Sequence, residues 1–80
     1  MVPTVREEGP YRFRFYSGDR PERPHVHVVR DGLQAKFWLD PVETAYSKLR
    51  DVDTAAALRI VIEHEVEFLE AWHAHFNDDA

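Results

Sequence analysis

The chain alternates first and coils later. Tyr11-Arg12-Phe13-Arg14-Phe15-Tyr16 sets apolar against charged side chains at every other position, the period of a half-buried strand. Ser17 to Arg23 is a polar loop of turn residues. His25 to Arg30 predicts a second strand, Asp31-Gly32 a two-residue hairpin of the primed type, and Leu33 to Leu39 a third strand. Asp40-Pro41 turns the chain. Residues 42–49 are read as a strand, because Val42, Thr44 and Tyr46 alternate; the competing reading is a short helix with Pro41 at its first position. From Asp53, an N-cap residue type, the period lengthens. Leu58, Val61, Ile62, Leu69, Trp72 and Phe76 then share one stripe at about 100° per residue, predicting one helix over 54–76. Residues 1–10 form a loose or edge segment. The whole reads as a single α+β domain over residues 1–80: a small antiparallel β-meander of three to four strands packed on one long C-terminal helix.

The Asp31-Gly32 turn sets a register and therefore assigns faces. In a regular hairpin Arg30 faces Leu33, Val28 faces Ala35, His27 faces Lys36, Val26 faces Phe37 and His25 faces Trp38. One face then carries Val26, Val28, Ala35, Phe37 and Leu39, joined by Phe13 and Phe15. It must be the core, because the helix stripe needs an apolar partner. The opposite face collects Arg12, Arg14, Tyr16, His25, His27, Lys36 and Trp38. The bland expectation for it is an ordinary solvent face. The functional expectation is a basic-aromatic platform, suited to RNA or another anion or to a partner protein, since tyrosine, tryptophan and arginine are enriched at interfaces.

Eighty residues allow one thin core. There is no cysteine, so disulfide and thiolate chemistry are excluded. No apolar run reaches membrane-spanning length, and Met1 to Pro10 shows no secretory pattern, so no membrane and a cytoplasmic location are expected. The net charge of −5 is uneven. Residues 1–50 hold nine Lys/Arg against seven Asp/Glu, a balance of +2, and residues 51–80 hold one arginine against eight acids, a balance of −7. Net acidity argues against strong nonspecific DNA binding, which draws on phosphate neutralisation.

The chemistry centres on Pro24-His25-Val26-His27-Val28, a His-x-His motif whose two imidazoles leave one face of a strand. The pair could serve as acid and base in phosphodiester cleavage, with Arg12, Arg14 and Lys36 on the phosphate. It could instead bind a transition metal, completed by Asp19 or Glu22 from the preceding loop, or by His64 if the helix reaches that face. Apart from such a metal, no cofactor is expected. Glu65 falls inside the expected apolar stripe. It must therefore stay wet at an overhang or meet an Arg or His from a strand end.

Pro3-Thr4-Val5, Phe13-Arg14-Phe15-Tyr16-Ser17, Pro24-His25-Val26-His27-Val28, Ala35-Lys36-Phe37-Trp38-Leu39-Asp40, and His64 with Glu67-Phe68-Leu69 and Trp72 occur in that order. This arrangement resembles the bacterial domain-of-unknown-function family 4160 across nearly the whole chain, the tail Asn77 to Ala80 excepted. The resemblance implies a meander followed by one long helix, and a strand over residues 42–48. It also implies a small protein encoded beside a second small protein, as in toxin–antitoxin modules, whose partner would be that neighbour or a further copy of itself. No catalytic role is carried over; the matching histidines are His25, His27 and His64, so His64 joins the candidate binding residues. Glu65 departs from the basic or polar residue expected there.

Overall fold

The computed structural model describes residues 4–76. Five strands form one antiparallel meander in the order β1 to β5: β1 (Thr4–Glu8), β2 (Tyr11–Arg14), β3 (His25–Arg30), β4 (Leu33–Trp38) and β5 (Glu43–Ser47). Two helices follow, α1 (Asp51–Glu63) and α2 (Glu65–Phe76). The fold is thus α+β, with more strands than the three to four expected. The extra strand is β1, the edge segment of the sequence reading. It pairs with β2 from Glu8↔Tyr11 to Thr4↔Arg14, with an irregularity between Thr4 and Arg6. Residues 1–3 lie outside the described residues.

The β3–β4 hairpin has the predicted register throughout, from Arg30↔Leu33 to His25↔Trp38. Its turn has positive φ at both central residues, 52° at Asp31 and 78° at Gly32, as a type I′ turn requires. Residues 43–47 are a strand, not a short helix. It pairs Trp38 with Glu43 and Lys36 with Tyr46, across a bulge at Lys36/Phe37. The strands are shorter than expected: β2 stops at Arg14 rather than Tyr16, and β4 at Trp38 rather than Leu39.

The core face is the predicted one. Phe13, Phe15, Val26, Val28, Ala35, Phe37 and Leu39 are fully buried. Burying such side chains contributes roughly 1.5–3 kcal/mol each for the larger ones. The helices cover this face, Phe68 stacking near Phe13 at 5.4 Å and Trp72 meeting Phe15 edge-on at 5.3 Å.

Three details of the helix differ from expectation. It is two helices, interrupted at His64 (φ −114°, ψ 24°). The bonds His64 N–H to Ile60 O (3.0 Å) and Phe68 N–H to His64 O (2.9 Å) bridge the interruption. No glycine or proline marks it, so helix propensity does not report it. Second, the buried residues are Ala57, Ile60, Val61, Phe68 and Trp72, while Ile62 is 57% exposed. Of the expected stripe, Val61 and Trp72 are buried and Leu58, Leu69 and Phe76 pack against the core, while Ile62 is replaced on the inner face by Ala57, Ile60 and Phe68. Third, Asp53 is not the N-cap. The cap is Arg50, and Asp53 lies in the first turn, where an acid suits the helix dipole. Its carboxylate is buried, accepting from the Tyr11 hydroxyl (2.8 Å), Arg30 (2.8 Å) and Arg50 (3.2 Å). These donors, the Tyr11 hydroxyl foremost, hold its pKa below the usual range despite desolvation.

Glu65 meets neither an Arg nor a His. It is half-buried and accepts the backbone N–H of Asp40 at 3.0 Å, tying α2 to the β4–β5 turn.

Candidate functional site

The β2–β3 loop builds the site. After Phe15 the chain makes a 3-10 turn, Ser17–Asp19, whose Asp19 N–H bonds back to Tyr16 O (2.9 Å). Asp19 Oδ2 accepts the Tyr16 N–H at 2.8 Å. With one oxygen held by backbone, the other points at the sheet. Oδ1 lies 3.1 Å from His27 Nε2 and 3.1 Å from His25 Nε2. Further along, Arg23 ties the loop to the β4–β5 turn through the carbonyls of Leu39 (3.2 Å), Asp40 (3.5 Å) and Pro41 (3.4 Å). The loop therefore closes over the two histidines.

This burial corrects the expected open platform. His25 has no exposed surface and His27 is 7% exposed. His25 is enclosed by aromatic rings: Trp38 at 5.5 Å, Trp72 at 5.1 Å and His27 at 5.0 Å between centroids. Tyr16 lies 4.5 Å from His27. Alternation along β3 turns both imidazoles away from Val26 and Val28, as expected, but the tertiary fold then covers them, Trp72 of α2 included.

The ring nitrogens are distinguishable. His25 Nδ1 lies 2.8 Å from the Arg23 carbonyl. A carbonyl only accepts, so Nδ1 carries a proton and Nε2 of the neutral ring is a bare lone pair. That lone pair is buried without a hydrogen-bond partner; it lies at hydrogen-bonding distance from Asp19 Oδ1 but without the alignment of one. His27 Nε2 does make a hydrogen bond to Asp19 Oδ1, and its Nδ1 is buried unpartnered. Burial, opposed by the Asp19 carboxylate, pushes the His27 pKa down. Burial would raise the Asp19 pKa, but the Tyr16 N–H and the His27 ring outweigh it and hold the carboxyl below its usual range.

The remaining candidates spread around this cluster. Arg12 is exposed and lies 3.4 Å from Glu7. Arg14 is half-buried, contacts Thr4 Oγ1 at 3.5 Å and has a buried Nε without a partner. Lys36 binds Glu22 at 2.5 Å and lies 4.4 Å from the Trp38 ring centroid. It also holds Glu22 below the usual carboxylate range. Arg23 sits 5.0 Å from the Trp38 centroid. The face counted as basic thus carries matching acids at Glu7, Asp19 and Glu22. Their positions were invisible to a register argument confined to one hairpin.

His64 is not brought to the cluster. At the helix interruption it pairs with Glu67, approaches Glu8 at 3.8 Å and packs on Phe68. Glu22 is also not a ligand candidate: its oxygen is 4.0 Å from His25 Nδ1, on the edge of the ring turned to the Arg23 carbonyl. Asp19, His25 and His27 do come together, with one potential ligand atom each, all within 4.8 Å. The Arg30–Tyr11–Asp53 network was missed because its members lie 23 and 42 positions from Asp53. Among the described residues no helix is long and apolar enough to cross a membrane.

Fold and site define a small α+β domain with a closed His-x-His cluster covered by the β2–β3 loop and by Trp72 of α2. The chain belongs to DUF4160, a family of domains of unknown function, whose match covers residues 11–73. No curated protein and no solved structure matches it.

Proposed function

We propose that this protein is a protein-interaction module, binding a second small protein of a toxin–antitoxin-like pair through the sheet face opposite its apolar core. The observation that carries the reading is the surface left outside the closed cluster. Tyr46, 44% exposed, pairs with Lys36 on the same face as half-buried Tyr16 and Trp38, with Arg12 and Arg14 beside them. Aromatic and arginine side chains left at the surface around the covered cluster suit a protein interface. A nucleic acid fits less well. Arg12 and Lys36 are already matched by Glu7 and Glu22, and two cations lie over Trp38, so phosphates and bases would have to displace them. The acid–base reading for His25 and His27 requires the covering loop to open, because His25 presents no surface to a phosphodiester and His27 only 7% of its own.

Copurification of the native full-length chain, with mass spectrometry of what elutes with it, tests the reading. The expected result is a stable complex with one small protein. Arg12→Glu with Tyr46→Ala is expected to dissolve it while leaving the circular dichroism unchanged. A complex indifferent to that pair of substitutions, or recovery of RNA alone, rejects it.

A further inference from the structure

We infer that Asp19 Oδ1, His25 Nε2 and His27 Nε2 form a binding site for one divalent transition-metal ion of the imidazole-preferring kind, zinc, cobalt, nickel or copper. The site lies beneath the interaction surface proposed above and shares Tyr16 and Trp38 with it, but its ligands are not part of that surface.

Three observations converge. First, the tautomer of His25 is set from outside. Its Nδ1–H donates to the Arg23 carbonyl, so the neutral ring turns a lone pair inward. Metal-bound histidines characteristically hold their second nitrogen in this way, which orients the ring and raises its basicity. Asp19 is held similarly, with Oδ2 on the Tyr16 N–H and Oδ1 left for the interior.

Second, the interior holds an unpartnered buried nitrogen beside a carboxylate oxygen. His25 Nε2 and Asp19 Oδ1 face each other at 3.1 Å, yet no hydrogen bond joins them and the nitrogen is fully buried. A lone pair against a carboxylate oxygen is repulsive, and an unpaired buried polar atom is costly. A cation between them removes both penalties.

Third, the donor types and two of the three ligand separations fit, all three atoms lying within 4.8 Å of one another. Metal bonds of 2.0–2.1 Å to nitrogen or oxygen place neighbouring ligands of a tetrahedral site about 3.3 Å apart, close to the 3.1 Å separations of Oδ1 from each Nε2. Two imidazoles and one carboxylate favour this metal group over calcium or magnesium, which take oxygen ligands. Three protein ligands leave a fourth position for water or an exogenous donor.

The test uses the full chain, stripped with a chelator and titrated with Zn²⁺ or Co²⁺. One ion per chain is expected, with a melting temperature that climbs with free Zn²⁺ and visible Co²⁺ bands that Zn²⁺ abolishes. Asp19→Asn keeps an acceptor for Tyr16 and His25→Gln keeps a polar side chain of similar reach. Each is expected to lower affinity at least tenfold while the chelated protein still melts cooperatively. His73→Ala with His75→Asn, which removes two exposed surface imidazoles, is expected to leave affinity unchanged. Three results overturn the proposal: no saturable binding, binding that survives Asp19→Asn and His25→Gln, or binding lost only with His73 and His75.

Discussion

Asp19 and His27 together make the fold sensitive to acid, and the sign follows from their shifts. His27 has a folded pKa below its ordinary 6.5. The folded state therefore binds fewer protons than the unfolded one just below that value, and stability falls as pH drops. Asp19, lowered from 3.8, adds a second loss at still lower pH. The melting temperature is expected to hold near neutrality, then fall from about pH 6.5 downward. His27→Gln should flatten the first part of that fall in thermal melts, and an unchanged slope would mean that His27 does not couple to folding. At this scale the sequence disclosed the two histidines and named Asp19 among the loop candidates. It could not disclose burial, because the loop that covers them is anchored by Arg23 on the carbonyls of residues 39–41.

At the scale of elements, the hairpin and the helix differ in how far neighbours along the chain dictate their packing. The β3–β4 register was legible to the residue because a two-residue turn leaves no freedom in pairing. Gly32→Ala places a side chain at φ 78° and is expected to cost about 1–3 kcal/mol, measured by chemical denaturation. The helix was legible only as an element. Its buried stripe runs through Ala57, Val61, Phe68 and Trp72 rather than through Ile62. Two substitutions separate the stripes. Ile62→Lys, at an exposed position, should change stability by no more than about 0.5 kcal/mol. Phe68→Ala should cost about 3–5 kcal/mol. A large effect at Ile62 with a small one at Phe68 would restore the original stripe.

The whole molecule is a single core between a five-stranded sheet and a broken helix, with a second, polar core under the β2–β3 loop. Domains of this size bury a modest share of their surface and are marginal. Phe37→Ala, a truncation at a residue with no exposed surface, costs about 3–5 kcal/mol and should leave much of the chain unfolded at 37 °C by circular dichroism.

Alternation, one turn dipeptide and a change of period determined the α+β class, the order of β2 to β5, the hairpin register and the apolar face of the sheet, because each depends on neighbours along the chain. Tertiary structure alone decided that β1 pairs at the edge, that the helix breaks at His64 and turns Ala57 rather than Ile62 inward, and that acids neutralise the face read as basic. It also decided the fate of the His-x-His motif. Two imidazoles on one strand face are a local fact. Their enclosure by Asp19, Tyr16, Trp38 and Trp72 depends on a loop and a helix that meet only when the sheet has formed.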